Sequence, residues 1–177
     1  MDNNKDFGTL EKLCEDILND MYTYDSILLG FGTELLKYKD DVLACLAKYL
    51  EHKNYFIISS VKDDILRNSE LNQKRIVCPY LGETDKTNED KQWNLYNKWL
   101  SGTLAKKLLV VELGEGFNNP NLIKWPFERI VMINEKARFY RIHSMFYQIP
   151  PEIKDKSVTY KYDAYEVLKT LVNMSNH

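Results

Sequence analysis

The sequence predicts a doubly wound α/β domain, a mostly parallel sheet flanked by helices, and three observations carry that expectation. Short apolar runs alternate with amphipathic stretches along the chain, the pattern of strand–helix–strand units. The run Leu108-Leu109-Val110-Val111-Glu112-Leu113 is almost wholly apolar, as suits a strand covered on both faces. Two such runs end in paired glycines, Gly30-Phe31-Gly32 and Gly114-Glu115-Gly116, and glycines just past a strand let backbone N–H groups approach a phosphate. Neither pair has the full G-x-G-x-x-G spacing, so their recurrence, rather than either alone, points to a nucleotide-type sheet.

Taken in order, Leu10, Leu13, Cys14, Ile17, Leu18 and Met21 recur at helical spacing and predict a helix over 9–22. It leads into a short strand, Ser26 to Leu29. Leu35, Leu36, Val42, Leu43, Leu46 and Leu50 predict a long helix from Glu34 to Lys53, with the charged triplet Lys39-Asp40-Asp41 as a candidate break. Asn54 to Ser60 reads as a second buried strand, Asp63 to Arg67 as a short helix, and Arg75 to Cys78 as a third strand ended by Pro79. Gly82 to Asp90 is polar and unpatterned, hence a loop. An aromatic helix over 89–104, carrying Trp93, Tyr96 and Trp99, precedes the strand at 107–113, and these rings are expected to pack over the sheet. Asn121 to Glu128 reads as a helical turn interrupted by Pro126. Ile130 to Ile133 and Ala137 to His143 read as strands, Pro150-Pro151 as a connection, Val158 to Lys161 as a last strand and Tyr162 to Asn173 as a closing helix.

The bulk numbers narrow the function classes. At 177 residues, the chain is expected to form one domain over 1–177, with enough core to need neither disulfides nor metal. With 24 basic and 26 acidic residues, a net charge of −2 makes no electrostatic case for nucleic acid or an anionic membrane. The polar start Met1-Asp2-Asn3-Asn4 does not resemble a signal peptide, and no apolar stretch has spanning length, so the expected location is the cytoplasm. Cys14, Cys45 and Cys78 are widely spaced and show no C-x-x-C, which argues against a disulfide framework and against zinc.

The order of motifs resembles the sirtuin (SIR2-type) family. Tyr24-Asp25-Ser26-Ile27-Leu28-Leu29-Gly30-Phe31-Gly32-Thr33 is similar to the G-A-G turn that opens the sirtuin sheet. Tyr55-Phe56-Ile57-Ile58-Ser59-Ser60-Val61-Lys62-Asp63 resembles the family's Y-F-x-x-T-T-N-x-D strand. The block Lys107 to Glu128, with Gly114, Gly116, Pro120 and Trp125-Pro126-Phe127-Glu128, is similar to the L-L-x-L-E-L-G-x-G-F-x-x-P…R-F-P-F-E segment of bacterial SIR2-like proteins. Arg141-Ile142-His143 stands where those proteins have R-I-N, and Asp163-Ala164 with Val167-Leu168 resembles their closing D-A-x-x-V-L helix. The likeness covers residues 9–172. It implies a Rossmann-like (DHS-like) sheet of the sirtuin large-domain type, without the zinc lobe.

The departures bear on chemistry. The family's long cofactor loop and helical insertion are missing between Gly32 and Asn54, and no cysteine lies between Gly82 and Trp93 to bind zinc. Val61 occupies the position of the catalytic asparagine, Tyr80 falls near that of the catalytic histidine, and His143 replaces the ribose-contacting asparagine. The family reaction needs a general base for a ribose hydroxyl and an amide to order water. Valine supplies neither, and a phenol with a pKa near ~10 is mostly protonated at neutral pH. The replacement bases on offer are His143 and Asp63, with Tyr80 beside them.

Three functions follow as expectations. The first is a catalytically silent domain that binds NAD, ADP-ribose or a related nucleotide through Gly30, Gly32, Thr33, Gly114, Gly116, His143 and Asp163. Glu34 and Glu115 repel a pyrophosphate but can accept ribose hydroxyls. A side chain such as Phe31 or Phe117 filling the space above Gly32 and Gly116 would preclude binding. The second is an interaction module that keeps only the fold and joins a homo-oligomer or a protein partner. The third is a residual NAD-dependent deacylase, ADP-ribosyltransferase or NAD hydrolase.

Overall fold

A computed structural model describes residues 6–36, 40–62, 64–79 and 86–175. Its strands are β1 (Ser26–Phe31), β2 (Tyr55–Ser59), β3 (Ile76–Val77), β4 (Leu108–Leu113), β5 (Ala137–Ile142) and β6 (Ser157–Tyr160). Its helices are α1 (Asp6–Thr23), α2 (Asp40–Leu50), α3 (Lys86–Ser101), α4 (Lys124–Ile133) and α5 (Ala164–Met174). The strands form one sheet in the order β3-β2-β1-β4-β5-β6, with every neighbouring pair parallel. This is the doubly wound order: the chain builds outward from β1 to β3, then crosses back to place β4 on the other side of β1. Ligand crevices in such sheets lie beyond the strand C-termini at that reversal.

The strands read as unbroken apolar runs because both faces of the sheet are covered, and alternate residues feed separate cores. Ile27, Leu29, Phe31, Ile57, Leu109 and Val111 pack with α1, α2 and α5. Leu28, Phe56, Ile58, Leu108, Val110 and Phe139 pack against Tyr96 of α3 and against Phe127, Ile130 and Val131 of α4. The aromatic face of α3 covers the sheet: Phe56 lies 5.3 Å from Tyr96 and 5.5 Å from Trp99, whose indole N–H donates to Asn54 Oδ1 at 2.7 Å. Cys14, Cys45 and Cys78 are free thiols. Among the described residues no helix is long and apolar enough to cross a membrane.

Five local expectations need correction. Ile130 to Ile133 is not a strand but the second half of α4. Pro126 sits in the first turn of that helix, where an amide has no intrahelical partner, so it starts the helix instead of interrupting it. Ile123, Phe127, Ile130 and Val131 then recur on one buried face, and burial there overrides the β-branched composition. The long helix from Glu34 is replaced by a 3-10 turn over Thr33–Leu35, with α2 starting at Asp40. The Glu34 N–H donates to Gly114 O at 3.2 Å, which ties this residue to the end of β4. Asp64 to Arg67 form turns rather than a helix, and Lys86 to Asp90 belong to α3 rather than to a loop. Asp63, Tyr80 and residues 82–85 lie outside the described residues.

Candidate functional site

The glycines at the strand ends do different jobs. Gly30 faces α4, and a Cβ there would lie 2.6 Å from the Phe127 ring; it serves strand–helix packing. Gly32 is where the ends of β1 and β4 cross, and a Cβ would lie 2.2 Å from both Glu115 N and Gly114 O. No side chain fits between two backbones that close. Gly114 has φ of 71°, a left-handed conformation suited to glycine, and a Cβ would meet Glu34 Cβ at 2.6 Å. Gly116 is less confined, its nearest neighbours being Phe146 at 3.7 Å and His143 Nε2 at 3.9 Å. Gly32 N and Gly114 N extend the sheet by donating to Leu113 O and Ile142 O, both at 2.8 Å. The amides of Thr33, Glu115 and Gly116 have no hydrogen-bond partner among the described residues.

The N-terminus of α5 is occupied by the chain's own carboxylates. Asp163 caps it, accepting from Tyr165 N at 2.9 Å and Glu166 N at 3.3 Å. Glu34 accepts from Ala164 N at 3.4 Å and from Ser144 N at 3.1 Å, and also from the Ser144 hydroxyl. An anion at this helix end would have to displace both groups.

His143 is held in its neutral form. Its Nδ1 accepts from Met145 N at 2.9 Å and Phe146 N at 3.1 Å, which leaves the proton on Nε2. Burial lowers its pKa, while Glu34, 3.2 Å from Nδ1, opposes that shift. Protonating Nδ1 would sacrifice both backbone bonds. The ring packs against Phe146 at 4.9 Å beside Gly116.

A cleft of about 400 Å³ opens at the reversal between β1 and β4, lined by Thr33, Leu36, Ser60, Lys62, Glu115, Asn118 and Asn119. Glu115 is 2% exposed, and its Oε2 accepts from Ser60 Oγ at 2.5 Å. Burial pushes the Glu115 carboxyl up to about 7; Glu112 adds to the rise, and Ser60, Lys124 and Arg141 oppose it. Phe31 is buried in the core, and Phe117 stands 5.3 Å from Phe146 and 5.0 Å above Lys124 Nζ; neither lines the cleft. Of the residues expected in a site, the structure brings Thr33 to this cleft, sets Gly32 against Glu115 beside it, and places Gly30 and Asp163 elsewhere. Val61, at the asparagine position of the resemblance, is 1% exposed and belongs to the core.

Behind Glu115 lies a buried charge cluster that the sequence reading missed. Arg141 grips Glu112 with Nε at 2.8 Å and Nη2 at 2.9 Å, and Lys124 Nζ reaches Glu112 Oε1 at 3.0 Å. Arg141 Nη1 also donates to Glu128 at 2.7 Å and Gln148 O at 2.7 Å. Burial lowers the Lys124 pKa and is the largest single influence on Arg141 as well, but Glu112 and Glu128 together outweigh it there and Arg141 is raised. One signal was available: a lone acid in a buried strand demands a basic partner, and Arg141 of β5 is the register partner of Glu112. Ser60 and Glu115 carried no such signal, because they meet only through folding of β2 and β4. Among the described residues no group of three or more His, Cys, Asp or Glu side chains converges as a metal site.

No family model matches the chain. A protein named as a protein ADP-ribosyltransferase from Staphylococcus aureus (strain Mu50) is 29% identical to it over 79 residues, 45% of this chain. The matched stretch spans only 25% of that protein.

Proposed function

We propose that this chain is a SIR2-like domain that binds NAD, ADP-ribose or a related nucleotide in the β1–β4 cleft and does not carry out the sirtuin reaction. The observation that carries this reading is a cleft of about 400 Å³ at the strand-order reversal, apolar over most of its surface with a few polar groups converging on it, and of a volume within the range of small-ligand sites. The amides of Thr33 and Glu115, two residues of the lining without a hydrogen-bond partner for that group among the described residues, are donors suited to phosphate oxygens, and Lys62 on the wall adds positive charge. The loss of the family chemistry is supported by buried Val61 and by neutral His143, whose Nδ1 is already engaged. Calorimetric titration with NAD and with ADP-ribose tests the reading. Heat and a melting shift are expected; neither at millimolar ligand would sink it, since even a millimolar dissociation constant corresponds to about −4 kcal/mol.

Two other readings have specific support. An apolar groove of about 500 Å³ between α3 and α4 carries exposed Leu104, Trp125 and Ile133, which favours an interaction module with a protein or second-copy partner. A monomer by light scattering, with no co-purifying protein, would count against that. The name of the Staphylococcus relative favours residual NAD-dependent chemistry. Incubation with NAD and an acyl-lysine peptide should then release nicotinamide, and a flat time course at high protein concentration would dispose of it.

A further inference from the structure

Glu115 is the group in the cleft that the nucleotide reading leaves unexplained. It is 2% exposed, its Oε2 is taken by Ser60, and among the described residues nothing donates to its Oε1. A buried carboxylate oxygen without a donor is costly, so the cleft is built to receive one. The donor's chemistry can be narrowed by elimination. A phosphate is repelled by the carboxylate. A cationic donor meets Lys62 on the wall, and Lys124 and Arg141 lie behind Glu115, close enough to lower its pKa. Neutral hydroxyl donors meet neither objection.

We propose that the cleft is keyed to a vicinal diol, the 2′,3′-hydroxyl pair of a ribose, which donates to the Glu115 carboxylate with the Ser60 hydroxyl as the second polar contact. A carboxylate offers two coplanar oxygens with lone pairs to spare, so Oε2 can hold Ser60 and still share in receiving a diol. Asn118 and Asn119 supply amides on the same lining, and Leu36 supplies an apolar surface for the sugar or base face. The ribose then sits at Glu115, and any phosphate points toward Lys62 and the open amides. This assignment rests on the nucleotide reading, but it concerns one end of the ligand.

The test compares two ligand pairs by calorimetry on the unaltered protein: ADP against 2′-deoxy-ADP, and ribose 5-phosphate against 2-deoxyribose 5-phosphate. Hydrogen bonds to a charged group are each worth roughly a tenfold to hundredfold change in affinity, so the deoxy member of at least one pair should bind at least about tenfold more weakly. Glu115→Gln should abolish that discrimination. If NAD or ADP-ribose binds but neither pair discriminates, the diol assignment is overturned and the nucleotide reading stands. Should ribose 5-phosphate discriminate while no nucleotide binds, the diol assignment stands and the nucleotide reading fails. Binding of none of these ligands overturns both. A Glu115→Gln chain that fails to fold leaves the decision to the ligand pairs, which need no variant.

Discussion

Glu115 has an ordinary carboxyl pKa of 4.5 when the chain is unfolded and is pushed up to about 7 by burial in the fold. A raised carboxyl pKa means that the folded protein holds its proton more tightly than the unfolded chain does. The associated stability is therefore fully present below pH 4.5 and is lost as pH rises through 7. Glu115→Gln keeps an acceptor for Ser60 and removes the ionisation. The variant should lose this slope and be more stable than the parent at pH 8 by on the order of 2–3 kcal/mol, measured by urea unfolding at pH 5, 6, 7 and 8. A pH dependence identical to the parent's would refute the assignment. The neighbouring glycines give a sharper contrast. Gly32→Ala forces a methyl to 2.2 Å from backbone atoms of Gly114 and Glu115, where no rotamer can relieve it. It should cost more than about 4 kcal/mol, whereas Gly116→Ala, with its nearest contact at 3.7 Å, should stay within about 1 kcal/mol. Thermal unfolding of the two variants reads this directly.

At the scale of elements, the ends of β4 and β5 are joined through charge as well as apolar packing. Glu112 and Arg141 are fully buried, bidentate and in register, with Lys124 brought in from α4. Breaking such a pair strands its partner: Arg141→Met leaves Glu112 with Lys124 alone and should cost about 3–5 kcal/mol in denaturant unfolding. A loss under 1 kcal/mol would mean that the cluster is not a structural tie. The α5 cap is a milder case. Asp163→Ala removes acceptors for Tyr165 N and Glu166 N and should cost about 1 kcal/mol in the same measurement. The amphipathic spacing of α1 and α5 was legible in the sequence, because one face of each helix is buried and the pattern records it. The helix α4 was not. Its run Ile130-Val131-Met132-Ile133 has strand composition, and only the buried face shared with Ile123 and Phe127 decides for a helix.

The described residues form a six-stranded parallel sheet covered on both faces, and the reversal of strand order between β1 and β4 is where the cleft opens. A nucleotide bound there at a hundred times its dissociation constant adds about 2.7 kcal/mol to folding stability. At roughly 2–4 °C per kcal/mol for a chain of this size, the melting temperature should rise by about 5–10 °C with ADP-ribose, and an unchanged melting curve at millimolar ligand would count against binding. The sequence by itself determined the alternation of strands and helices, the burial of the sheet on both faces, and the two glycine turns at the ends of β1 and β4, because these are local patterns of polarity and backbone demand. The tertiary structure alone decided what those turns do. Gly32 and Gly114 accommodate two chain segments in close contact, Glu34 reaches the end of α5, and Glu115 from one turn meets Ser60 from the end of β2 inside the cleft. Those pairings join residues far apart in the chain. They come from the strand order and register, which fix distances that no local pattern encodes.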